Sequence, residues 1–192
     1  FVRLRQAHDW AGATEVPVAF RTLATAGGGT LLDNGCHLFD LARHLAGPVA
    51  ELSARTATLG FDIEVEDTAE VSLRFASGAL GQIEASWTST GWDQSFLVNG
   101  TRGSLEYTER LTRPVLRHVH REAGERDFVA TRVTSWEHAG ASDHTRAVAA
   151  FVAAVRGEAP AACTGEDGRE AVRLALASYQ SAASGRPVTL EG

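Results

Sequence analysis

The sequence contains no methionine and only two cysteines, Cys36 and Cys163. A complete reading frame starts with methionine, although processing can remove it, so a chain that opens on Phe1 is expected to be a fragment. The cysteines are far apart and form no CxxC or Cys/His zinc pattern, which excludes a disulfide framework and a structural metal site. Both are expected to be buried or half-buried thiols, with Cys36 packing as a small hydrophobe. Long hydrophobic runs are missing too: the alanine-rich stretches are broken by Arg, Glu or Asp well short of the roughly 20 residues that a membrane span needs. The opening Phe-Val-Arg-Leu-Arg-Gln has neither the apolar stretch nor the cleavage site of a secretory signal, so a cytoplasmic setting is expected. Positive charge is in the minority, 18 Lys+Arg against 24 Asp+Glu for a net charge of -6. Neither nucleic acid nor an anionic membrane is therefore an expected partner.

What is present is the apolar content of an ordinary folded unit. With 44% hydrophobic residues, 192 residues can bury one core, and residues 1–192 read as a single domain. Residues 1–26 hold short apolar groups without a sustained period and read as a strand or two with an irregular approach segment. After Gly27-Gly28-Gly29, the residues Leu38, Leu41, Ala42 and Leu45 recur at helical spacing, predicting a helix of about three turns that starts near Leu31 and stops at Gly47-Pro48.

The pattern then changes to alternation. Val71, Leu73 and Phe75 alternate with Ser72, Arg74 and Ala76, and Ile83, Ala85 and Trp87 with Gln82, Glu84 and Ser86. These are two half-buried strands joined by a three-residue loop, Ser77-Gly78-Ala79, with Gly78 left-handed, Val71 facing Ala85 and Leu73 facing Ile83. Further strands are expected near residues 50–59, 94–99, 103–108, 114–121 and 126–133. The last third returns to helix. Val148, Phe151, Val152 and Val155 form one apolar face, ended by Gly157 and Pro160. Thr164 and Asp167 then resemble a capping box for a second helix, which carries Val172, Ala175, Leu176 and Tyr179 on one face and ends near Gly185. A helix, a run of strands and two more helices indicate an α+β fold: an open, largely antiparallel sheet with helices packed on one face.

The densest polar cluster runs from Gly27 to Asp40. Asp33 and His37 are four apart, and on a helix they would share one face about 6 Å apart at Cβ. Such a carboxylate raises the pKa of a neighbouring imidazole and restrains it, which suits proton transfer, although the same pair could simply cap and solvate a helix start. The triple glycine matches neither GxGxxG after a strand nor GxxxxGK[ST], so a phosphate loop is not expected. Asp33, His37, Asp40 and His44 contain no HExxH pattern, and no metal is expected. No GxSxG elbow is present, and Cys36 lacks an activating context.

The run GGGTLLDNGCHLFDLARHLAG resembles the signature GGGxLxDxGxHxxDxxxxLxG of the glucose-fructose oxidoreductase / inositol dehydrogenase / rhizopine catabolism family, Gfo/Idh/MocA, in its C-terminal domain. The resemblance continues through VEDTAEVSLRFASGALGQIEASW, NGTRGSLEY and TGEDGREAVRLALASYQSAASGRPVTL, from about residue 20 to the end. It implies a fold similar to the C-terminal domain of glyceraldehyde-3-phosphate dehydrogenase. It also implies an N-terminal Rossmann domain that binds NAD or NADP and supplies an EKP-type catalytic lysine. Asp33 and His37 are then the catalytic pair, His37 exchanging the proton of a sugar, inositol or polyol hydroxyl while its carbon exchanges a hydride with nicotinamide. Asp33 would bind substrate hydroxyls, hold His37, or both, and Asn34 and Arg21 are candidate substrate contacts.

By the same resemblance the glycines would let backbone approach cofactor or substrate, and the open sheet face, bearing Arg74, Gln82 and Glu84, would join subunits into a homo-oligomer. Neither the Rossmann fingerprint nor the EKP lysine is in this sequence, so the chain alone is expected to be inactive. Two other readings stay open: a relative that uses NAD transiently to cleave glycosides, and a non-catalytic binding or assembly domain of the same fold.

Overall fold

The computed structural model describes residues 1–9, 15–110, 114–121, 131–137 and 143–190. Its strands are β1 (Val2–Ala7), β2 (Val49–Ala57), β3 (Thr68–Phe75), β4 (Leu80–Ser86), β5 (Asp93–Asn99), β6 (Gly103–Arg110), β7 (Val115–Arg121), β8 (Thr131–Glu137) and β9 (Val188–Thr189). They form one sheet in the order β8-β7-β6-β5-β1-β4-β3-β2-β9. Every pairing is antiparallel except β1 with β4. The expected open, largely antiparallel α+β architecture is therefore the one observed. Of the strand expected at 126–133, residues 126–130 lie outside the described residues, and β8 continues to Glu137.

β1 holds an unexpected place. It enters the middle of the sheet between β5 and β4, where Val2 and Leu4 are buried. Six residues of weak alternation gave no sign of this, because centrality depends on which partners arrive later in the chain.

The β3–β4 hairpin corrects a register expectation. Val71 faces Ile83 and Leu73 faces Gly81, not Ala85 and Ile83. The loop does have three residues and Gly78 is left-handed at φ 84°, but it is Ala76-Ser77-Gly78, closed by the Phe75 N–H donating to the Ala79 carbonyl at 2.9 Å. A loop one residue earlier moves each facing pair by two, so both strands keep their buried faces. Gly81 is admitted by its lack of a Cβ, which would stand 2.9 Å from the Phe75 ring.

The helices are α1 (Leu23–Ala26), α2 (Thr30–Ala46), α3 (Asp143–Val155) and α4 (Gly165–Ser184). At 17 residues α2 is longer than the three turns expected, and it starts one residue earlier, at Thr30. α2 and α4 pack side by side over β1 to β4, and the core lies between them and the sheet, with Leu31, Leu38, Phe39 and Leu174 against Leu4, Val71, Phe75 and Ile83. The capping box of α4 forms as read: Thr164 Oγ1 accepts from the Asp167 N–H, and an Asp167 carboxylate oxygen accepts from the Thr164 N–H at 2.9 Å.

Two helical faces differ from expectation. In α4 the buried stripe is Ala171, Leu174, Ala175 and Ser178, while Val172 and Leu176 point outward. The side of α4 that meets α2 and β2 is the one carrying this stripe, and the Val172–Leu176 pair sits to one side of it. In α3 the apolar face of Val148, Phe151, Val152 and Val155 is exposed, Phe151 at 70%.

Candidate functional site

The outward face of α2 carries Asp33, His37, Asp40 and His44, and its inward face carries Leu31, Asn34, Gly35, Leu38, Phe39 and Ala42. Asp33 and His37 therefore share a face, as their spacing requires, with the imidazole of His37 exposed. Asp33 does not turn to His37, however. Its Oδ2 accepts from the indole Nε1–H of Trp87 at 3.3 Å.

Trp87 is fully buried at the end of β4. It centres a second small core with Val16 and Val65, packed by Phe20, Phe61 and Ile63, and Phe20 meets it edge-on at 6.1 Å. Arg21 secures the segment beside this core: its Nε donates to the Val16 carbonyl at 2.7 Å and a terminal guanidinium nitrogen pairs with Glu15 at 2.6 Å. Arg21 is thus tied within its own segment. Asn34 is buried, with its amide donating to Thr30 Oγ1 at 3.4 Å. Of the four residues singled out from the sequence, the structure brings only Asp33 and His37 to one surface.

The start of α2 is fixed by residues that sequence reasoning missed. Backbone N–H groups at a helix start lack intrahelical partners. Here three of them go to Glu66: its two carboxylate oxygens accept from Gly29 at 3.0 Å and Leu31 at 2.9 Å, and its backbone carbonyl accepts from Thr30 at 3.0 Å. Tyr179 on α4 donates its hydroxyl to the same carboxylate at 2.9 Å and accepts from the Gly29 N–H at 3.2 Å. Burial, and then the Glu66 charge, push the Tyr179 phenol far above its ordinary range. Negative charge at this end is also favoured by the helix dipole.

Glu66 is held in turn by the next residue. The fully buried Asp67 carboxylate accepts from the N–H groups of Leu59, Gly60 and Phe61 and from Thr68 Oγ1, pinning the loop between β2 and β3.

This packing explains the glycine run. A Cβ on Gly28 would lie 2.3 Å from Tyr179 Oη, and one on Gly29 would lie 1.8 Å from the Glu66 carbonyl oxygen. Gly27 ends α1 at φ 74°. The glycines admit the chain's own side chains and backbone, and the N-terminus of α2 is filled by the chain's own carboxylate.

Cys36 donates its thiol to the Asp33 backbone carbonyl at 3.0 Å. Burial, and then the Asp33 charge, raise its pKa, which makes it a poor nucleophile. A cleft of about 590 Å³ opens beside Gly27 and Gly28, between Thr56, Glu64 and Tyr179, and does not include His37.

A sequence model described as "Oxidoreductase family, C-terminal alpha/beta domain" matches residues 21–190, and the chain belongs to this Gfo/Idh/MocA family. The chain is 33% identical over 173 residues to a myo-inositol 2-dehydrogenase of Thermotoga maritima, a match covering 85% of this chain and 50% of the relative. It is 33% identical over 170 residues to a 1,5-anhydro-D-fructose reductase of Ensifer adhaerens, covering 86% and 49%. It thus spans about half the length of these relatives. Among solved structures, a levoglucosan dehydrogenase in complex with NADH and L-sorbose superposes with a TM-score of 0.83 at 21% identity, over 99% of this chain and 58% of that one.

Proposed function

We propose that this chain is the substrate-facing half of an oxidoreductase that moves a hydride between a sugar, inositol or related polyol and NAD or NADP. The observation that carries the reading is the outward pair on α2: an exposed imidazole at His37, one turn from a carboxylate at Asp33 that faces the same surface. The names of the relatives, an inositol dehydrogenase and an anhydrofructose reductase, support the substrate class. The NADH in the levoglucosan dehydrogenase complex supports the cofactor class.

The described residues offer the nucleotide's phosphates no cradle at the obvious place, since Glu66 already takes the N–H groups at the start of α2. The fit is to the reacting end: an exposed acid–base group on a rigid helix, open to a surface brought by another domain. A bound oxidised nicotinamide supplies the hydride acceptor. The chain's own work is to move the proton. A neutral His37 imidazole takes the hydroxyl proton as the carbinol carbon gives up its hydride and becomes a carbonyl, and it returns that proton in the reverse direction. Asp33 accepts a hydrogen bond from a substrate hydroxyl and so orients the reacting carbon. On its own the chain is inactive under this reading, and steady hydride transfer by the isolated 192 residues would overturn that part of it.

The polar sheet face is the proposed contact between subunits of a homo-oligomer. It carries ion pairs within the chain, Arg74 with Glu51 at 3.1 Å and Arg5 with Glu84 and with Asp93.

The test is His37→Ala in the full-length protein, assayed with nicotinamide against a panel of polyols. A loss of about 10²–10⁴-fold in kcat is expected for removal of a general base. Because His37 is exposed, thermal stability should not change. Unaltered turnover would favour a binding or assembly role, and a hydrolysed glycoside without net cofactor change would favour the glycosidase relative.

A further inference from the structure

We infer that Trp87 is a positioning residue for Asp33, so that the carboxylate is committed to the substrate and His37 is left unpaired for proton transfer. The inference rests on the proposed function and divides the labour of the pair, which the sequence left open. On a helix, residues four apart can meet, and an Asp–His hydrogen bond would be the simplest use of this spacing. The structure takes the other course. Asp33 Oδ2 is engaged by the Trp87 indole at 3.3 Å, and among the described residues the His37 imidazole has no hydrogen-bond partner.

The geometry of Trp87 suits this role. Its ring is fully buried and boxed by Val16, Val65 and Phe20, so the N–H direction is set by packing. Its backbone N–H donates to the Asp67 carbonyl at 2.8 Å, which ties it to the same strand start that presents Glu66 to α2. A rigid, uncharged donor on one oxygen holds the carboxylate in place and leaves the other oxygen without that donor. The Cys36 thiol meanwhile occupies the backbone carbonyl of Asp33, which holds that turn without drawing on the carboxylate.

Two measurements test this. In the isolated chain, the Trp87 indole N–H signal is identified by its disappearance in Trp87→Phe and compared with that in Asp33→Asn. A marked upfield move in Asp33→Asn is expected, as the donor loses an ionised acceptor, and an unmoved signal would overturn the inference whatever the protein catalyses. In the full-length protein with its nicotinamide, Trp87→Phe should lower kcat/KM about tenfold, the equivalent of one hydrogen bond to a charged group, mainly through KM and with an unchanged acid limb in the pH profile.

Phe75→Leu, a truncation in the main core rather than in the small core around Trp87, serves as the packing control and should lower stability while leaving KM in place. Equal KM effects in the two variants would sink the inference. Loss of activity in Asp33→Asn and His37→Ala with a neutral Trp87→Phe would refute the positioning role alone. Full activity in all three would instead refute the proposed function.

Discussion

Replacing Glu66 by glutamine is the sharpest probe of how the site is built, because the two side chains have the same shape and differ in what they can accept. The carboxylate receives three hydrogen bonds, from Gly29 N–H, Leu31 N–H and the Tyr179 hydroxyl, at 3.0, 2.9 and 2.9 Å. Glutamine keeps one acceptor oxygen and puts an NH2 group in the place of the other, so in either orientation a donor faces a donor. One or two bonds to a charged acceptor are lost, at about 1.5–3 kcal/mol each, and the favourable charge at the helix start goes with them. A total near 3 kcal/mol is expected, which lowers Tm by about 6–12 °C in a chain of this size.

Tyr179→Phe removes one of those bonds and should cost about 1.5–2 kcal/mol. The two changes share that bond, so the double variant should be less destabilised than the sum by about 1 kcal/mol or more. Urea unfolding followed by circular dichroism gives all four free energies. Additive effects, or a Glu66→Gln cost below about 1 kcal/mol, would refute the clamp as the device that fixes the start of α2.

The remaining predictions concern pH, space and exposure. Tyr179 has its phenol pKa raised by burial and by Glu66, so the folded state holds that proton more tightly than the unfolded chain, whose value is near 10.0. Its contribution is complete below that pH and is lost as pH rises further, so stability of the native chain should fall more steeply above pH 10.0 than that of Tyr179→Phe in alkaline urea titrations. Gly29→Ala would place a methyl 1.8 Å from a backbone oxygen that cannot swing away, and a loss of at least about 3 kcal/mol is expected by the same assay. Phe39→Ala should cost about 3–5 kcal/mol because Phe39 is fully buried, whereas Phe151→Ser on α3 should stay within about 0.5 kcal/mol. A large loss at Phe151 would show that α3 packs on the rest of the chain.

Much of the architecture was legible because its signals are local. Alternation in residues 71–75 and 83–87 marked β3 and β4, Gly47 marked the end of α2, and the Thr164–Asp167 box marked the start of α4. Asp33 and His37 share a face of α2 because helical geometry makes neighbours of residues four apart. The misses share a cause. Val172 and Leu176 fit an apolar stripe as well as Leu174 does, and only the packing of α4 against α2 and β2 decided which side of the helix is buried. The hairpin register slipped because two three-residue loops satisfied the same alternation.

Sequence by itself thus determined the fold class, the family and the pair of chemical groups on α2, since each depends on spacing within one element or on ordered local motifs. Only tertiary structure decided what holds that pair. Glu66 meets Gly29 across 37 residues, Trp87 meets Asp33 across 54, and Tyr179 meets Gly29 across 150. Contacts at such separations leave no period or cap in the chain, because they form only when the sheet brings β4, the start of β3 and α4 to the same end of α2.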